Sequence, residues 1–133
     1  MLWVFLSVIL SAAANFAFGA IWYMSLAKPW MAASGVEVGE DGRPTNNADP
    51  IPYITSFVAA VLVTVIMQHV FTLSAIDSFG EGALAGFGIG LFLVTPWIGI
   101  FYGFVEKPRN LLLIDGGYAT IGCTVMGAVL MLL

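Results

Sequence analysis

Four long apolar runs, set apart by nearly every charge the chain carries, leave little choice of fold. They cover about residues 2–27, 54–73, 82–105 and 110–133, and each reaches the roughly 20 residues a helix needs to cross a 30 Å hydrocarbon layer. The runs are continuous rather than alternating, and four strands cannot close a barrel, so helices must satisfy the backbone where water is absent. The expected fold class is an all-α membrane protein: a bundle of four transmembrane helices in one domain over 1–133, with a polar loop over 28–53. Composition agrees. Apolar residues are 60% of the chain and charged ones 9%, against about a quarter charged in soluble domains. A chain of 133 residues has too little interior to hide that much apolar surface from water, whereas lipid is itself an apolar medium.

Charge and cysteine usage exclude several functions. The net charge of −4 opposes nucleic-acid binding, which needs a dense basic surface, and a polybasic lipid-binding patch. A single cysteine, Cys123, rules out an internal disulfide and a thiolate-rich metal site. No cofactor or metal is expected. The first twenty residues look superficially like a signal peptide, but they lack a basic start and their apolar run continues to Ala27. They read as a retained helix. Lys28 and Arg43 fall in the first connection and Lys107 and Arg109 in the third, with no basic residue elsewhere. The positive-inside rule then makes 28–53 and 106–109 cytoplasmic and places both termini outside, in a bacterial inner (plasma) membrane.

Helices in lipid associate through close backbone approach and polar contacts, and each run carries a suitable stripe. The first has Ser7, Ser11, Asn15 and Gly19, the second Ser56, Ala60, Thr64 and Gln68. The third has Gly82, Gly86 and Gly90, and the fourth Gly116, Thr120, Cys123 and Gly127. Steps of three and four keep each set on one face. Gly99 and Gly103 give the third run a second small-residue face, open to a partner helix, and Pro96 should bend it. A repeat is also visible. Ala20-Ile21-Trp22-Tyr23 precedes Lys28-Pro29 at the spacing with which Gly99-Ile100-Phe101-Tyr102 precedes Lys107-Pro108. A duplicated helical hairpin would produce this. So would two helix ends that each need an aromatic anchor, a base and a proline stop.

Two polar layers follow from counting 1.5 Å per residue inward from the cytoplasmic ends. Asp115 lies roughly 9 Å in, the only acid within an apolar run, with Tyr118 on its face and Trp22, Tyr23 and Tyr102 about 4–8 Å in. An acid lined by aromatic rings suits an amphipathic cation, through charge and cation–π attraction. The alternative is an acid at a helix start paired with Lys28, Lys107 or Arg109, beside an ordinary interfacial aromatic belt. Deeper, roughly 18–21 Å in, Asn15 and Gln68 with His69 form a candidate interhelical polar layer. That depth separates His69 from Asp115, which removes the obvious catalytic pair. Gly86-Phe87-Gly88-Ile89-Gly90 lies inside a span rather than after a strand, so packing explains it better than phosphate binding.

Two segments carry a family resemblance. Gly19-Ala20-Ile21-Trp22-Tyr23 is followed by Trp30-Met31 and Gly35, and Ile114-Asp115-Gly116-Gly117-Tyr118 by Met126-Gly127. These resemble the bacterial domain-of-unknown-function family 1761, over essentially the whole chain. The resemblance implies four spans and carries over no catalytic or binding residue. This chain departs from the family pattern with Met24-Ser25, where a small residue and Pro follow the Tyr, and with Asp115, where Asn is usual. An amide there would exclude a carboxylate-dependent proton cycle as a shared mechanism. The expected role is non-enzymatic: a protein that packs in the lipid bilayer against itself, as a homo-oligomer, or against a larger membrane complex as an accessory subunit. The competing role is a small transporter or binder of an amphipathic cation, whose binding weakens once Asp115 is protonated.

Overall fold

The computed structural model describes residues 1–133. It is all-helical: α1 (Leu2–Ser25), α2 (Ala27–Ser34), α3 (Ile51–Leu73), α4 (Phe79–Ile89), a π-helical turn (Gly90–Val94), α5 (Thr95–Phe104) and α6 (Arg109–Leu130). Four spans are long and apolar enough to cross a membrane: α1, α3, the continuous α4–α5 rod Phe79–Phe104, and α6.

The expected boundaries shift by two or three residues in four places. The first run ends at Ser25, not Ala27, because Pro29 cannot donate to the Ser25 carbonyl and its ring crowds it. The chain breaks at Leu26 and restarts as α2, which ends at Gly35 in the left-handed conformation (φ 72°). The 28–53 segment is therefore not all loop. Beyond α2 it makes a tight hairpin around Gly42, with one bridge between Val38 and Pro44, and α3 starts at Ile51 with Pro52 in its tolerant first turn. The third span begins at Phe79 rather than 82, because Ser78 caps it by accepting the Glu81 N–H at 3.3 Å while Glu81 accepts from Asp77 N. The fourth ends at Leu130 instead of 133. The turns at Ala75 and Glu106 are alike. Each residue is left-handed (φ 56° and 58°), and the next N–H reaches five residues back, Ile76 to Phe71 and Lys107 to Tyr102.

The fourth span is the centre. Half of its most apolar window is buried, against 11% for the third. α6 packs on α1 along one side and on α4, the π turn and α5 along the other, while α3 packs mainly on α1. The antiparallel pair of third span and α6 is a glycine seam. A Cβ on Gly82 would collide with the Gly127 carbonyl, one on Gly86 with the Cys123 carbonyl, and one on Gly90 would lie 2.5 Å from Thr120 Cα. Gly82, Gly86 and Gly90 are thus used up inside the molecule. Backbones this close gain dispersion contacts that lipid cannot match.

Pro96 acts through the π turn. With no N–H to offer at 96, the ladder widens one residue early: Thr95 N–H bonds to Gly90 O, five back. The Thr95 hydroxyl reinforces that bond by donating to Gly90 O at 2.7 Å, and its methyl fits against Gly116. Elsewhere, Val8, Ala12, Ala60, Met67, Phe71, Cys123, Met126 and Leu130 form an apolar core where α1, α3 and α6 meet. That core occupies the half away from the long loop. The half near the loop is held differently.

Candidate functional site: a carboxylate between two tyrosines

Tyr23 and Tyr102 occupy equivalent places in the short repeat, near the ends of two helices that run the same way. Side chains tilt toward the N-terminus of their own helix, so both phenols lean inward from the loop end. Asp115 sits on antiparallel α6 and leans back toward them. The three meet. Tyr23 Oη donates to Asp115 Oδ1 at 2.6 Å, and Tyr102 Oη donates to Asp115 Oδ2. One carboxylate thereby ties α1, α5 and α6 together.

The expected helix-start role for Asp115 does not fit this geometry. Asp115 is the seventh residue of α6, past the first turn where the helix dipole acts. Its hydrogen-bond partners are phenols rather than a base, while Lys107 Nζ donates to Ser34 O at 2.7 Å. That bond sets a cation at the C-terminal end of α2, where the dipole favours one. It also holds α2 beside the site, so Trp30 meets Tyr23 edge-on with ring centroids 6.1 Å apart.

Trp22 and Tyr118 make a second set of links between α1 and α6. Trp22 Nε1 donates to Ile114 O at 3.0 Å, and its ring lies where a Cβ on Gly117 would be. Tyr118 lies over Gly19, stacks with Phe18 and meets Tyr23 edge-on at 5.2 Å. Its hydroxyl turns away from Asp115 and accepts from Asn15 Nδ2 at 3.0 Å.

That bond corrects the second polar layer. Counted from the observed helix ends, Asn15 and Tyr118 lie roughly 14–15 Å from the loop side and Gln68 roughly 25 Å. Asn15 and Gln68 are therefore at different depths, and Asn15 joins the tyrosine cluster. Gln68 stands alone with its Oε1 buried and unbonded, and His69 is exposed on the outer face of α3. Asn15 Oδ1 is also buried without a partner, against Gly122, where a Cβ would strike it.

No packing role for Gly117, Gly122 or Thr95 follows from the stripes read in the sequence. Gly116 and Gly127 face the third span, whereas Gly117 and Gly122 both meet α1, the first against Trp22 and the second against Asn15. Five residues apart, and so about 140° round the helix, these two make no row that spacing alone would reveal. Thr95 carries no mark either, since its role depends on the π turn. Among His, Cys, Asp and Glu side chains no group of three gathers that could hold a metal ion, and Cys123 is a buried free thiol. What the arrangement offers chemically is a carboxylate with both oxygens engaged by the phenol donors of Tyr23 and Tyr102.

Comparison with known proteins gives one finding. The family model described as "Protein of unknown function (DUF1761)" matches residues 6–131. No curated protein and no solved structure matches the chain. The matched stretch contains every residue of the tyrosine–carboxylate cluster and the whole glycine seam, and the chain belongs to the DUF1761 family.

Proposed function

We propose that this is a non-enzymatic protein of a bacterial inner membrane that works by packing against itself or a larger membrane complex. The observation that carries the reading is how its polar groups are used. Asp115, Tyr23, Tyr102, Asn15, Tyr118 and Trp22 bond to one another or to nearby backbone across helices. Intramembrane polar groups are costly unless partnered, and here they act as fasteners of a compact bundle. The outer surface is left to lipid and to other spans. In the proposed orientation, Lys28, Arg43, Lys107 and Arg109 hold the tyrosine end in the cytoplasmic leaflet and both termini lie outside. Extraction of tagged protein in mild detergent tests it: self-associated protein or a stoichiometric membrane partner is expected, and a lone monomer from native membranes refutes it.

One observation favours a second reading. Asp115 is held by neutral phenols, so its charge has no ionic partner among its hydrogen bonds. A lipophilic cation entering from the cytoplasmic leaflet would find a carboxylate with Tyr23, Tyr102 and Tyr118 as cation–π surfaces. Equilibrium binding of tetraphenylphosphonium tests it. Saturable binding abolished by Asp115→Asn supports it, and binding indifferent to that change ends it.

A further inference from the structure

The α1–α3 face of the bundle carries two shallow apolar hollows, one toward the long loop and one toward the outer end, which together make a seam. From α3 it is lined by Ile54, Val58, Val61, Val65 and Gln68. Steps of four, three, four and three make a heptad-like ridge. From α1 it is lined by Phe5, Ile9 and Phe16. A ridge with this spacing is one that a second helix can pack against.

Its polar member is unsatisfied. Gln68 lies five residues from the outer end of α3, about 8 Å in. Its Oε1 is buried with no hydrogen-bond partner. A lipid tail filling the seam supplies no donor or acceptor at that depth. An amide does, because it carries both and is complementary to itself. Symmetry supplies the placement: a two-fold axis along the membrane normal sets each residue opposite its own copy at equal depth. The neighbouring face of α3 provides the insert, with Leu62 62% exposed, Ile66 62% and Leu73 74%, and His69 also exposed in the same row.

We propose that a second copy of this chain packs its α3 into the seam, with the two Gln68 amides hydrogen-bonding across the axis. The terminal torsion of glutamine is soft, so either end of the amide can turn outward at small cost. The proposal rests on the packing role above and names its partner. It also gives α3, which packs mainly on α1, a further neighbour.

The test uses the full chain in phosphatidylethanolamine–phosphatidylglycerol vesicles, in a Cys123→Ala background. A cysteine introduced by Val65→Cys should form a disulfide-linked dimer on mild oxidation, and Phe92→Cys on the exposed face of the third span should not. In energy-transfer dilution series, Gln68→Leu should weaken association about three- to tenfold, Gln68→Asn should weaken it less, and Val58→Trp should block it by filling the seam. Association unaffected by both Gln68→Leu and Val58→Trp overturns the interface and leaves the packing role standing. So does a different membrane protein cross-linking at position 65 in native membranes. A monomer with lipid retained in the seam overturns the interface as well. A monomer at every lipid ratio, with no associate in native membranes either, removes both.

Discussion

Tyr23 and Asp115, ninety-two positions apart, are joined by a 2.6 Å hydrogen bond that fixes the loop end of α1 against the middle of the bundle. Tyr102 makes the matching bond to the other oxygen. Tyr23→Phe and Tyr102→Phe should each lower stability by about 1 kcal/mol. The double variant should lose more than the sum, because the carboxylate then has no donor. Thermal unfolding of the four proteins in one detergent measures this, and strict additivity would argue that the phenols do not share Asp115.

Neighbouring glycines of the third span should respond oppositely. A Cβ at Gly86 meets the Cys123 carbonyl, a backbone atom that cannot step aside. Gly86→Ala should cost about 1–3 kcal/mol as the helices are pushed apart. Gly88 has open space around it, so Gly88→Ala should be neutral or stabilising by up to about 1 kcal/mol. The same melting experiment reads both, and equal effects would contradict the seam.

Thr95 has two separable duties. Its hydroxyl donates to Gly90 O at 2.7 Å and lies 3.2 Å from Gly116 O, and its methyl fills the hollow at Gly116. Thr95→Val keeps the shape and should cost about 1 kcal/mol by stranding the widened turn. Thr95→Ser keeps the bond and should also destabilise, through the lost methyl contact, by about 1 kcal/mol. Amide exchange at Thr95 and Trp97 should accelerate in the valine variant and stay slow in the serine one.

The proposed orientation can be read directly. A cysteine placed by Glu40→Cys in the long loop should react with an impermeant maleimide only after the inner membrane is opened. A C-terminal reporter that matures only outside the cytoplasm should be active. The reverse pattern would mean that four basic residues are too few to set topology here.

The parts of the fold that could be read from sequence are those set by local chemistry. Gly82, Gly86 and Gly90 mark one face of a helix wherever that helix lies, and Pro96 disturbs any ladder it enters. The Ser78-x-x-Glu81 cap was equally available, but an apolar run draws attention to its greasy start at 82 and away from the polar residues that begin the helix. Asn15 and Gln68 were misjudged for a related reason. The edges of hydrophobicity are not the ends of the helices: α3 begins before its apolar run, at Ile51, and α1 stops short of the end of its own, at Ser25.

Sequence alone determined that this chain lives in hydrocarbon as four helices, because solvent and backbone hydrogen bonding decide that, and both are read from runs of residue types. It also held both halves of the tyrosine repeat, without saying what they share. Tertiary structure decided that Tyr23 and Tyr102 converge on one carboxylate, that the Gly82–Gly90 face serves α6 instead of a partner, and that Gln68 Oε1 is left without a hydrogen-bond partner. Those outcomes depend on which helix lies beside which and at what height, and lipid, being equally apolar on every side, writes no such preference into a hydrophobic pattern.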